Sequence, residues 1–342
     1  MNIFDKINLG KKKIFLIIAL IIVLMLIILG YIYLRKNKFQ EQKKFILTTA
    51  ISYVKPLLED VSTKHLPQNK FSTEIQFYSS NYVDAIDQVA NKRADATLCC
   101  HIPYIVNNLN NHESWKNLQI VQPVYIAKFG IFCNTNTIKS IDNIINKEDL
   151  KIVVPDDKAN LSLSLYYLYK LSEKYPLFRE KLKIQDNIKR TIENEFWESY
   201  NLKLRDFTIS KDLTIIQKNL FQIGNFCNEP NATDLAINFP ALMSSARDHF
   251  EYCNFFNMQK KDIFADKFLN IYAISLISRK DNQNSEPIEI IKNGLKESSE
   301  MVASTDGSTQ AMFNQNTWLI PKDKIEEIKD NILEFQKKMK NK

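Results

Sequence analysis

Cysteine and glycine are both scarce in this chain. Its five cysteines (Cys99, Cys100, Cys133, Cys227 and Cys253) are an odd number without framework spacing. That excludes a disulfide-stapled scaffold and leaves buried or free thiols, with room for one bridge if the domain faces outward. Six glycines in 342 residues, beside abundant Lys, Asn and Ile, reflect a coding bias without chemical content. The chain has no internal repeat and no low-complexity tract. It also lacks surplus charge outside its first 44 residues. That segment holds Lys6, Lys11, Lys12, Lys13, Arg35, Lys36, Lys38, Lys43 and Lys44 against Asp5 and Glu41, and the net charge of the whole chain is +7. The surplus therefore sits entirely at the amino end, which excludes a nucleic-acid footprint.

Charge is absent again from Ile14 to Leu34. As a helix this stretch is about 31 Å long, against a bilayer core of roughly 30 Å. One transmembrane helix is expected, followed by a short polar spacer, Lys36–Lys44. Basic residues flank it on both sides, so charge leaves its orientation open. Gly30-Tyr31-Ile32-Tyr33 is a poor cleavage site, which favours an uncleaved signal anchor.

Beyond the spacer, strands and helices alternate. Phe45–Thr49 reads as a strand and Ile51–Lys64 as a helix, although Pro56 requires either a kink or a start delayed to Lys55. Asn81 can cap a helix bearing Tyr82, Ala85, Ile86, Val89 and Ala90. Ala96–Cys100 is small and apolar enough for a buried strand, and Pro103 can take the first position of the helix that follows. Leu118–Cys133 reads as one long extended segment with Gly130 inside it. Lys151–Val154 is a strand, with Asn160 as cap for a helix over Leu161–Lys174. Residues 176–212, with Trp197 and Tyr200, read as helical decoration. Leu213–Gln217 and Asp234–Asn238 are further strands, and Asp262–Arg279 is largely extended. Helices over Pro287–Ser304 and Pro321–Lys342 close the chain. Such alternation at this length predicts an α/β protein with parallel or mixed sheets and two cores.

Arg93-Ala-Asp-Ala-Thr-Leu-Cys-Cys-His-Ile-Pro-Tyr-Ile105 is the most informative stretch. Its order of acidic turn, short strand, His-x-Pro-Tyr and helix resembles the methionine-type (NLPA) lipoprotein family of ABC-transporter substrate-binding proteins. Six more segments follow in the family's order: Tyr53–Leu58, Glu74–Val83, Phe129–Phe132, Val153–Leu161, Asp234–Asn238 and Tyr272–Arg279. The resemblance implies a two-lobed periplasmic-binding-protein-like fold of type II behind one N-terminal transmembrane helix. Residues 1–44 would be anchor and spacer, 45–125 and 268–342 lobe 1, and 126–267 lobe 2. It further implies a non-catalytic, cofactor-free protein at the cell membrane, its binding domain extracellular, that holds methionine or a related small solute. The partners would be an ABC permease and its ATPase, with no nucleic acid. Family members commonly carry a lipid-modified cysteine after the signal; here no Cys precedes Cys99, so a signal anchor would replace it.

Carried over position by position, the ligand-binding residues would be Tyr82, Cys99, His101, Tyr104, Asn160 and Asn238. The tyrosines would form an aromatic wall and the asparagines would hold a polar head. Cys99 stands where the family has an aromatic, which implies a wider pocket. At Leu163 the family places an Arg that pairs bidentately with the ligand carboxylate. Losing such a partner costs roughly 2–5 kcal/mol, so an unchanged methionine pocket is not expected; if the ligand has a carboxylate, another cation, Lys128 or Lys158, would have to take over. Asp234–Pro240 is one residue short and lacks the family's second Asn, and the Thr48-Thr49-Ala50 loop lacks its Pro-x-Pro-His.

Other chemistries are weaker. Cys99 and Cys100 are neighbours on a strand and point to opposite faces, so they do not chelate one ion. A nucleophilic cysteine needs a base placed by tertiary structure. Asp156-Asp157 read as caps at a helix N-terminus. A different class of function, a surface interaction or adhesion protein that keeps the fold without its ligand, is motivated by the extra C-terminal helix and by residues 176–212.

Overall fold

The computed structural model describes residues 21–31, 42–79, 81–301 and 315–340. They form two compact units. The smaller comprises the described residues up to Phe45 together with Pro67–Thr73; the larger comprises Ile46–Leu66 and Glu74 onward. In the smaller unit residues 21–31 are helical and exposed, and the Lys43 N–H donates to the Lys70 carbonyl at 2.9 Å. No helix among the described residues is long and apolar enough to cross a membrane. Both ends of the expected span, Ile14–Leu34, lie outside them.

The described residues contribute thirteen strands. In order they are β1 (Lys43–Thr49), β2 (Phe71–Phe77), β3 (Ala96–Thr97), β4 (Leu118–Ala127), β5 (Gly130–Asn134), β6 (Leu150–Pro155), β7 (Leu182–Ile184), β8 (Phe207–Ile209), β9 (Leu213–Lys218), β10 (Leu235–Asn238), β11 (Phe250–Tyr252), β12 (Ala273–Arg279) and β13 (Thr317–Leu319). Six form one sheet in the order β13-β4-β12-β3-β1-β2, five form another in the order β11-β5-β10-β6-β9, and β7-β8 is a separate antiparallel pair. Strands covered on both faces need apolar residues without alternation. Ile152, Val153 and Val154 of β6 are all fully buried, as are Leu235, Ala236 and Ile237 of β10.

Several elements differ from the sequence expectations. Leu118–Cys133 is two strands, not one. Lys128 and Phe129 carry the chain from the six-stranded to the five-stranded sheet, and the Phe129 N–H turns back on the Ala127 carbonyl at 2.7 Å. The strand expected over Ala96–Cys100 is only Ala96–Thr97: Leu98 still donates to the Thr48 carbonyl, but the Cys100 carbonyl accepts from Ser275 N–H on the other side. Regular helix begins at Lys55, after one 3-10 turn, so Pro56 lies in the first turn, where no backbone donor is lost. Asp157, not Asn160, caps the following long helix, which spans Lys158–Lys174. Asp262–Arg279 is helical, not extended, ahead of β12: it begins within the helix Lys260–Ala265 and goes on into the helix Lys267–Asn270. The second is capped by Asp266, which accepts from Phe268 N–H and Leu269 N–H at 3.0 and 3.1 Å. Residues 176–212 include the β7-β8 pair besides their helices. One bridge does form, Cys133–Cys253, with 5.4 Å between Cα atoms; Cys99, Cys100 and Cys227 are free and buried.

One buried side chain organises the start of the second sheet. Asn257, 1% exposed, donates through Nδ2 to the carbonyls of Ile131 and Cys253 at 2.8 and 3.0 Å. Its Oδ1 accepts from Ile131 N–H at 2.8 Å and from the Tyr167 hydroxyl at 2.9 Å. Tyr167 in turn accepts from Met258 N–H at 2.7 Å. The amide's full capacity of two donors and two lone pairs is used. Only glycine fits at position 130 beside it, because a Cβ there would lie 2.6 Å from Asn257 Oδ1 and 2.8 Å from the Tyr252 ring. Gly130→Ala is therefore expected to destabilise the protein by about 1–3 kcal/mol, read as a lower urea midpoint; an unchanged midpoint would show that the asparagine is free to shift.

Candidate functional site

The carboxyl ends of parallel strands converge on one cavity. β1 and β3 run parallel, with Leu47 opposite Ala96 and Thr48 opposite Thr97, so both release the chain at the same edge of their sheet. β6 is parallel to both β9 and β10, so Pro155, Lys218 and Asn238 also end together. Ligands in open α/β sheets sit beyond such ends. Here the segments that follow enclose about 690 Å³, with Ala50–Tyr53 and Cys99–His101 from one sheet and Asp156–Asp157, Asn219–Phe221 and Phe239–Leu242 from the other.

The first wall is built around His101. It caps the helix Ile102–Asn108, its Nδ1 accepting from Tyr104 N–H at 3.1 Å. That bond assigns the ring proton to Nε2. Burial holds the imidazole far below its usual range, at about 3, so it is neutral at physiological pH. The ring packs edge-on to Tyr272 at 4.9 Å between centroids, and Tyr272 donates to the Ala159 carbonyl at 2.8 Å. Tyr104 lies 5.8 Å from Tyr82, and burial pushes the Tyr104 hydroxyl up to about 12. Asn81 caps the Tyr82 helix as expected, accepting from Asp84 N–H at 3.1 Å.

The second wall begins where β6 ends. Asp157 Oδ1 accepts from Asn160 N–H at 3.0 Å, and the Asn160 amide also donates through Nδ2 to both Asp157 oxygens, at 3.1 and 3.0 Å. Asn160 is 4% exposed, and its Oδ1 has no hydrogen-bond partner. Phe239 packs edge-on to Phe129 at 4.9 Å.

Of the six expected positions, Tyr82, Cys99, His101, Tyr104 and Asn160 line the cavity. Asn238 does not. It is fully buried, its Oδ1 accepting from Phe239 N–H at 2.8 Å and its Nδ2 donating to the Leu220 carbonyl at 3.2 Å, so it fixes two lining segments from behind. Lys128 and Lys158 do not line the cavity either: Lys128 Nζ lies over the Trp318 ring at 5.8 Å and Lys158 Nζ over the Tyr200 ring at 4.4 Å. Leu163 is 4% exposed, within the apolar core. Burial and a hydrogen bond with Cys99 raise the Cys100 thiol well above its usual range, away from a thiolate. Among the described residues no group of three His, Cys, Asp or Glu is placed to hold a metal ion. Tyr53, Asn219, Phe221 and Phe239 also line the cavity and were not expected. Their signal was positional, since each lies within a few residues of the end of a parallel strand.

Residues 54–221 match the family model described as NlpA lipoprotein. No curated protein matches the chain. Among solved structures it is similar to a putative lipoprotein from Ruminococcus gnavus, 19% identical with a TM-score of 0.59, over 81% of this chain and 99% of that one. It is similar also to a putative methionine-binding lipoprotein from Bacillus subtilis, 15% identical with a TM-score of 0.59, over 82% and 98%. A third is an ABC-transporter periplasmic substrate-binding protein from Coxiella burnetii, 18% identical with a TM-score of 0.52, over 73% and 91%. The resemblance to the NlpA lipoprotein family thus holds in sequence over 54–221, and the fold is the two-lobed α/β fold of substrate-binding proteins.

The buried neutral His101 makes a prediction about pH. Its folded value is depressed, so the unfolded chain binds the proton first and stability falls as pH drops from about 6.5 toward 3. Between pH 7 and pH 5 the loss from this group should be about 2 kcal/mol. Urea unfolding of His101→Asn, which keeps a capping side chain, should show that much less pH dependence than the parent. Equal dependence in both proteins would place the titration elsewhere.

Proposed function

We propose that this protein is a non-catalytic, membrane-anchored solute receptor that closes its two lobes on a small molecule and presents it to an ABC permease and its ATPase. The lobes would be 45–125 with 268–342 and 126–267, joined where Lys128–Phe129 and the segment before β12 pass between the sheets. The carrying observation is the open cavity of about 690 Å³ faced by the ends of parallel strands from both sheets. Its size suits one small solute. The aromatic faces of Tyr82 and Tyr104 would take the apolar part of that solute, with His101 and Asn160 at its polar end. An adhesion protein that had lost its ligand would have no reason to keep this space open.

The charge-free stretch Ile14–Leu34 with its basic flanks is the proposed anchor. The Cys133–Cys253 bridge supports an outward-facing domain, because disulfides persist in oxidising compartments. Methionine heads the solutes to test, since the Bacillus subtilis relative carries it in its name.

The purified full-length protein in detergent should gain about 2.7 kcal/mol of stability at a hundredfold excess of a cognate solute over its dissociation constant. A thermal-shift screen of amino acids, their amides and amines, dipeptides and vitamins reads this directly. A flat response to the whole panel would sink the transport reading. For a solute that does bind, Tyr104→Ala should weaken binding about tenfold, by calorimetry.

A further inference from the structure

The second wall of the cavity groups its acceptors at the start of the Lys158–Lys174 helix, while Asn219, whose Oδ1 accepts from Phe221 N–H at 3.1 Å, adds an amide donor after β9. Asp157 holds the Asn160 amide in one orientation, because turning it over would set Oδ1 against a carboxylate. The Oδ1 is left inside the protein without a donor, which is unfavourable unless a bound molecule supplies one. The charged groups lining the cavity among the described residues are two carboxylates, Asp156 and Asp157, with no Lys or Arg. The start of the Lys158–Lys174 helix would ordinarily attract an anion, but the Asp157 carboxylate already stands there, accepting from Asn160 N–H at 3.0 Å. Across the space, His101 carries no charge to offset the acids. A ligand carboxylate would lose its water here and face two like charges.

We infer that the solute of this cleft is an amine without a free carboxylate, its ammonium against Asn160 Oδ1 and the Asp156–Asp157 pair and its apolar body between Tyr82 and Tyr104. The inference rests on the solute-binding reading above and narrows it. The aromatic rings serve the same ligand twice, packing on its body and presenting π-faces to a nearby cation. Asp156 is exposed, so its charge can be changed without disturbing the core.

Calorimetry on the full-length protein in detergent at pH 7 should compare methionine with 3-(methylthio)propylamine, which differs from it only in lacking the carboxylate. The amine is expected to bind at least about tenfold more tightly. Asn160→Ala and Asp156→Lys should each weaken the amine about tenfold, and Asp156→Lys should narrow or invert the preference while leaving the unliganded melting temperature unchanged. If Asn160→Ala does not fold, the Asp156→Lys comparison alone decides. Methionine binding as tightly as the amine, or more tightly, would overturn the inference and leave the receptor reading intact. Binding of neither would also overturn it, and the receptor reading would then be judged on the remaining solutes of the thermal-shift panel.

Discussion

The second sheet depends on a buried asparagine that has no unused hydrogen-bonding capacity. Asn257 joins Ile131 of β5 to the turn after β11 and, through Tyr167, to the middle of the Lys158–Lys174 helix. A polar group so deep is stabilising only when all of its partners are present. Gly130 makes room for it, and the Cys133–Cys253 bridge closes the same corner covalently. Because β5 begins two residues after the chain leaves β4, this corner sets where the first crossing segment ends. The helix it holds carries Asn160 and its cap Asp157 to the cavity, so the geometry of the site is tied to this network.

The cavity itself follows from direction. Parallel strands deliver successive turns to one edge, and two such sheets supply two opposed sets of turns. The side chains in those turns do not act independently. His101 caps one helix and Asp157 another; burial keeps the first neutral, and the second is taken up by Asn160. What remains available to a ligand is what the caps leave over: ring faces on one wall and, on the other, the carboxylates of Asp156 and Asp157 with the amides of Asn160 and Asn219.

Much of this was legible in the sequence, where periodicity and capping residues are local properties. Asn81 announced its helix, the apolar runs around Val153 and Ile237 announced buried strands, and His101 with Tyr104 marked a strand end at the cavity. Pairing was not legible. Leu118–Cys133 reads as one continuous apolar stretch, and nothing local says that Ile126 and Ile131 belong to different sheets. Asp157 and Asn160 are both capping residues. The choice between them depends on which one begins the helix, and it leaves the other's carbonyl oxygen buried without a donor. Asn238 had the right position for a ligand contact, yet its amide closes the turn beneath Phe239 and Leu220. β11 and β13 are too short to carry a periodic signal.

The disulfide constrains how the molecule is made as well as how it stands. Its two cysteines are 120 residues apart, so during synthesis Cys133 exists for a long interval without its partner. Cys99 and Cys100 precede it and Cys227 arrives before Cys253, and each could capture it in an oxidising environment. All three end up buried. Two strands of the six-stranded sheet, β12 and β13, follow Cys253 in the chain, so that sheet is still incomplete when the second cysteine appears; correct pairing therefore depends on the β11–β5 register, which sets Glu251 opposite Cys133 and brings Cys253 beside it.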